Sequence, residues 1–327
     1  MIPDNQVMAI FGFDMETDIG SWTPFYEGLE RGTPRLLELL AEQEASATFY
    51  FTGHAAETHP DVVTMVDAAS HEVGCHSLYH ETVGDELFPI PGIAPLLVEE
   101  VPLRLQRATE AVTAALGRCV VSFRAPRLFG STAMINALES LGYTTDASYP
   151  LYYYRERLTP YHPSRTDWTA EGDSPILEIP NFADLSMQSA DPFGRDRDQW
   201  PKYRTEGAES LLAAIDRFIA LTCNRALPAV LCFYLHPWEF VEMPSGPIHY
   251  GEGSVLPDPF IVAGCGEHAL HQLEAVLRGL RERGVLYCTA SSLAAQWNVR
   301  TRGLAVDTQS SSRDDRPCRA KAAGEVE

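Results

Sequence analysis

Short apolar runs alternate with stretches of helical periodicity along most of the chain. The runs predict strands over 7–14, 47–51, 72–75, 120–123, 143–146, 176–179, 229–235 and 285–287. Between them, spacing near 3.6 predicts helices over 33–44, 60–69, 99–116, 131–141, 206–222, 267–283 and 291–298. Thr33 suits the N-cap of the first of these and Pro34 its first helical position. The strands read as continuous apolar runs, as strands buried on both faces do. Repeated strand–helix units of this kind predict a parallel sheet with right-handed crossovers. With seven or eight strands, a closed or nearly closed (β/α) barrel competes with an open doubly wound sheet.

The order loosens over 150–205 and again over 240–263. From about residue 300 the periodicity stops, so residues 1–298 read as a single barrel domain and 299–327 as a disordered tail. The chain has 327 residues, 45% of them hydrophobic, enough for one large α/β core. A net charge of −20 argues against nucleic acid and anionic membranes as partners. The apolar run at 227–235 is too short to span a bilayer. The opening MIPDNQVMAIFGFD has neither the basic start nor the long apolar segment of a signal peptide. The seven cysteines show no CxxC pair and read as reduced thiols, mostly buried. These features together predict a cytoplasmic protein; they leave a homo-oligomer open.

Residues of catalytic type sit at or just past successive strand ends: Asp14 and Glu16, then His76 and His80, Arg124, Asp146 and His236. In a parallel barrel those ends share one face, where such folds keep their active sites. HSLYH places His76 and His80 four apart, and on a helical turn both imidazoles can share a metal. Ten histidines give roughly a third of one such pair by chance, so the spacing needs a nearby carboxylate beside it. FDMETD offers Asp14, Glu16 and Asp18, one to hold the ion and another to act as a base toward water. Arg124 can hold a carboxylate ionised through a bidentate pair, or form a structural ion pair. Asp146 can orient a histidine or cap a turn. His236 can protonate a leaving amine, with Trp238 walling the pocket, or be a buried histidine on a backbone carbonyl.

Together these segments resemble the polysaccharide deacetylases of the NodB-homology group, carbohydrate esterase family four, over roughly residues 7–297, and the resemblance implies an α/β fold in the form of a seven-stranded, distorted (β/α) barrel. HSLYH is similar to that family's metal motif, FRAP to its arginine–proline motif, DASYP to its aspartate motif and YLHPWE to its final histidine motif. The HPWE and RAP forms are most similar to intracellular exopolysaccharide-type members. The resemblance implies Asp14 as general base, His76 and His80 as metal ligands, Arg124 as tether of the base, and His236 as general acid tuned by Asp146. It implies one divalent ion, zinc with cobalt or manganese as alternatives, and a substrate bearing an N-acetyl group on a sugar or glycan. The first motif departs from the family's adjacent aspartates, so the metal carboxylate falls to Glu16, or else Asp18. Pro126, Tyr152 and Trp238 are expected to touch the substrate. The competing activities are hydrolysis of a cyclic amide or imide such as allantoin, and glycan binding without turnover.

Overall fold

The computed structural model describes residues 6–301, so most of the expected tail lies outside the described residues. The described residues form ten strands in chain order: β1 (Met8–Met15), β2 (Ala47–Phe51), β3 (Glu72–Cys75), β4 (Ser122–Phe123), β5 (Thr145–Asp146), β6 (Leu177–Glu178), β7 (Val230–Leu235), β8 (Ile248–Tyr250), β9 (Gly253–Val255) and β10 (Leu286–Tyr287). Seven run parallel in the order β7-β1-β2-β3-β4-β5-β6, and β10 lies beside the first residues of β1. Between β6 and β7 the closure is a main-chain bond rather than a ladder: Phe182 N–H donates to the Cys232 carbonyl at 2.7 Å. The expected distorted, seven-stranded (β/α) barrel therefore forms. The stretch read as irregular over 240–263 contains the β8–β9 hairpin and a short helix, Pro259–Val262.

Strand alternation divides the core in two. Phe11, Phe13 and Met15 of β1 face outward and pack with Phe49, Leu36, Leu40 and Val63 beneath the surrounding helices. Met8 and Ile10 face inward with Tyr50, Leu177, Val230 and Cys232. Leu293, Ala294 and Trp297 of the helix Ala290–Thr301 pack into that inner cluster at the strand starts. The barrel is thus apolar at its base, and the inward face of β1 turns polar only at Asp14, near the carboxyl end.

Glycine sets two close approaches. A Cβ on Gly12 would lie 2.2 Å from Nη1 of Arg124, so only glycine leaves room for that guanidinium inside the barrel. Gly28 and Gly32 bring their helical turn onto the backbone of Trp238 and Pro237, where an added Cβ would sit 2.4 and 2.1 Å from main-chain atoms. This contact explains why Thr33 is not the N-cap. The chain is already helical before it, as a π-helical turn over Gly28–Gly32.

Among the described residues five cysteines are free, four of them buried, but Cys119 is disulfide-bonded, contrary to the expectation of reduced thiols throughout. Among the described residues no helix is long and apolar enough to cross a membrane.

A Gly12→Ala variant is expected to lose at least about 3 kcal/mol of stability. Overpacking a core costs about 1–3 kcal/mol, and displacing one partner of a buried ion pair about 3–5 kcal/mol. Denaturant unfolding of the two proteins measures the difference; a loss under about 1 kcal/mol would contradict this packing.

Candidate metal and catalytic site

Asp14, Glu16, His76, Arg124 and His236 converge at the carboxyl ends of β1, β3, β4 and β7, all of them buried. Arg124 runs through the barrel. Its Nη1 donates to Asp14 Oδ1 at 2.9 Å, Nη2 to the Phe233 carbonyl at 3.1 Å, and Nε to the Ala147 carbonyl at 3.2 Å. The guanidinium also lies over the Tyr50 ring, 4.5 Å from its centroid. Burial alone would favour loss of its proton, but the Asp14 carboxylate more than offsets this and the group stays charged. The expected pairing with Asp14 is present, through one contact rather than a bidentate fork. The other donors hold strand carbonyls.

Glu16 meets His80 Nε2 through Oε2 at 2.5 Å and lies 3.7 Å from His76 Nε2. The three candidate ligand atoms lie within 4.8 Å of one another. His76 and His80 do not share a helical turn. Ser77 and His80 have φ of 65° and 64°, so the segment folds back as a loop, held where Arg127 Nη1 donates to the His80 carbonyl. The loop achieves the convergence that the sequence spacing suggested for a helix.

The chemistry of this donor set fits a divalent cation. His76 Nδ1 donates to the Arg124 carbonyl at 2.8 Å, which turns Nε2 toward Glu16 and Asp14. His76 Nε2, Glu16 Oε1 and His80 Nδ1 are buried without hydrogen-bond partners. A buried ring nitrogen aimed at two carboxylates calls for positive charge between them, which a divalent cation would supply. Burial opposes ionisation of Glu16, yet His80, His76 and His236 together hold its carboxyl well below the usual range. Burial pushes His80 down to about 4 against the attraction of Glu16. At neutral pH the pair is a carboxylate beside a neutral imidazole, the form that binds a metal.

Asp18 is excluded from this set. Its oxygens accept the backbone N–H groups of Glu27 and Gly28 at 3.0 and 2.9 Å, latching the covering strap 17–28 to the π-helical turn. Ser21 in the same strap donates to Glu16 Oε2 at 3.2 Å, a contact the sequence did not signal.

His236 Nδ1 is bonded to Glu239 Oε1 at 3.0 Å, and its Nε2 faces Glu16 Oε1 at 3.8 Å. Burial disfavours the imidazolium, but Glu239 and Glu16 outweigh it and the His236 pKa is raised. Asp146 is not its partner. The inward residues on either side are Thr145, bonded to Ser122, and Ala147 in the inner core, so alternation turns Asp146 to the opposite face. There it accepts from the Ser148 hydroxyl at 2.5 Å and meets Glu178. Asp146 Oδ2 and Glu178 Oε2 both lack other donors, so one shared proton satisfies both, and burial with mutual repulsion holds Glu178 well above its usual range.

Pro126, Tyr152 and Trp238 are all buried. Trp238 stacks on the His236 ring at 5.2 Å and so backs the histidine instead of presenting a face to substrate. Two surface depressions of about 470 and 480 Å³ flank the helix Val101–Leu116 and contain none of these residues.

Residues 17–145 match the polysaccharide deacetylase family model. The match spans His76, His80 and Arg124, covers less than half of the chain, and ends one residue before Asp146. The chain is 26% identical over 123 residues to the peptidoglycan-N-acetylmuramic acid deacetylase PdaA of Bacillus subtilis, covering 37% of this chain and 43% of that protein. It is 29% identical over 111 residues to the chitooligosaccharide deacetylase of Azorhizobium caulinodans, covering 34% and 48%. The matched stretches thus span less than half of the length of either relative. The family model and these relatives support the polysaccharide deacetylase family. A putative polysaccharide deacetylase from Mycobacterium smegmatis has the same fold, with a TM-score of 0.58, 18% identity, and coverage of 96% of this chain and 97% of that one. An allantoinase superposes with a TM-score of 0.59 at 14% identity, covering 91% and 92%.

Beside His236, Asp198 accepts from the Tyr234 hydroxyl, and burial raises its carboxyl to about 7. A raised carboxyl contributes stability below its unfolded value near 4, and that contribution is lost as the pH rises through 7. At about 1.4 kcal/mol per pH unit this amounts to at most about 4 kcal/mol. Asp198→Asn lacks the titration, so its melting temperature relative to wild type is expected to be higher at pH 8 than at pH 5. An equal difference at both pH values would contradict the assignment.

Proposed function

We propose that the chain is a metal-dependent N-deacetylase acting on an N-acetylated amino sugar or a glycan bearing one, releasing acetate and the free amine. The observation that carries this reading is the division of labour between two carboxylates. Asp14 is tied to Arg124, while Glu16 is tied to the two imidazoles. Glu16, His76 and His80 would hold the ion, with zinc the first choice for a two-histidine, one-carboxylate set and cobalt or manganese as alternatives. That ion, when bound, supplies a Lewis acid for the acetyl carbonyl and lowers the pKa of water.

The chain's own groups then divide the proton transfers. Arg124 occupies Asp14 Oδ1, leaving Oδ2 on the His76 side to take a proton from the attacking water. His236 has Nδ1 committed to Glu239, so the proton it can deliver is on Nε2, facing the Glu16 side of the site. As the C–N bond breaks, that proton goes to the departing nitrogen, and the carboxyl carbon keeps the oxygen from water. The HPWE segment supports the intracellular, exopolysaccharide-type branch.

The test is acetate release from N-acetylglucosamine oligomers by the zinc-supplemented protein and its Asp14→Asn variant. Wild-type turnover that falls at least about 100-fold in the variant is expected for loss of a general base. Ring-opening of allantoin with no acetate from any N-acetyl sugar would replace this reading with a cyclic amide hydrolase.

A further inference from the structure

The stretch 150–205 supplies none of the groups in the mechanism above, yet one part of it is bonded to the histidine end of the barrel. Three consecutive side chains reach the end of β7. Asp198 accepts from the Tyr234 hydroxyl, Gln199 Nε2 donates to the Tyr234 carbonyl at 2.9 Å, and the Trp200 indole N–H donates to Glu239 Oε1 at 2.9 Å. Three and four residues further on, the Tyr203 hydroxyl and Arg204 Nε donate to Glu239 Oε2 at 3.0 and 2.6 Å. Glu239 Oε1 also accepts the backbone N–H of His236 at 2.8 Å and its ring Nδ1 at 3.0 Å.

Glu239 thus collects five donors while wholly buried. A carboxylate in that position is tolerated only because each oxygen is saturated and Arg204 neutralises it. Two of the five donors come from His236 itself, which fixes both the backbone and the ring of that residue. The Trp200 ring meets the imidazole edge-on at 5.5 Å while Trp238 stacks on its face, so the ring is also sterically confined. A hydrogen bond to Nδ1 from a fixed carboxylate sets which nitrogen faces the reaction.

We propose that Glu239, held by Trp200, Tyr203 and Arg204, is the positioning residue that aims His236 Nε2 at the leaving nitrogen, the role that Asp146 is turned away from. This inference rests on the deacetylase reading, because it assigns a partner to the proton donor of that reaction. Glu239 does not touch substrate. Its effect is confined to the step in which the leaving group takes a proton.

Leaving groups separate this role from a structural one. The amine of an N-acetyl sugar must be protonated to depart, whereas 4-nitrophenolate leaves from 4-nitrophenyl acetate without a proton. The zinc-supplemented wild type and Glu239→Gln are compared on N-acetylglucosamine oligomers and on 4-nitrophenyl acetate, with KM and zinc content measured for each. The expected result is a kcat loss of about 100-fold on the amide, within the range of general acid catalysis, at little-changed KM and zinc content, and a much smaller loss on the ester. Should Glu239→Gln not fold, Trp200→Phe, which removes a single donor, is expected to show the same asymmetry at smaller size. Equal losses on the two substrates with an active wild type overturn the inference alone. No acetate from the wild-type protein on any N-acetyl sugar overturns the deacetylase reading and the inference with it.

Discussion

Arg124 is fully buried in the barrel, and a charge there is tolerated only if each of its donors is met. That requirement organises the mouth of the fold. The guanidinium takes carbonyls from β7 and from the residue after β5, the ring of Tyr50 from β2, and the carboxylate of Asp14 from β1. Its own carbonyl accepts from His76 next to β3. Five strand ends are thereby set relative to one side chain, and Gly12 leaves the space it fills. Removing such a partner would strand a buried charge, which costs about 3–5 kcal/mol.

The same side chain distinguishes two carboxylates that lie only two residues apart. Asp14 faces a cation supplied by the protein, while Glu16 faces the two imidazoles of the candidate metal site. In the proposed reaction, placing Arg124 on one and not on the other would leave Asp14 to act as the base and Glu16 to hold the ion. His236 is set by a parallel device on the far side, where Arg204 neutralises Glu239 and Glu239 fixes the ring. Each buried arginine is thus paired with a carboxylate at the candidate site.

Much of this was legible in the sequence, and the failures have a common cause. Buried strands announce themselves as short apolar runs, so the barrel and the placing of Asp14, Glu16, His76, Arg124 and His236 at strand ends followed from pattern alone. Local geometry was harder. The spacing of His76 and His80 fits a helical turn, but left-handed backbone at Ser77 and His80 makes a loop that serves the same purpose. Asp146 ends a strand only two residues long, and a one-residue difference in where inward facing begins sends its side chain to the other face. Glu239 stood in plain view in HPWE, yet its importance depends on Trp200, Tyr203 and Arg204, which nothing in local periodicity connects to it. Gly12, between Phe11 and Phe13, read as part of a strand; only the barrel shows what must fit above it.

The central claim, that one carboxylate holds the ion and the other does not, is tested most directly by zinc titration calorimetry on Glu16→Gln and Asp14→Asn. Asp14→Asn is expected to bind about one ion per chain with an affinity near that of wild type, since Asp14 is committed to Arg124. Glu16→Gln is expected to bind at least about 100-fold more weakly, because an outer-shell partner alone is worth about 10–100-fold and a direct ligand more. Retained binding in Glu16→Gln together with loss in Asp14→Asn would contradict the account.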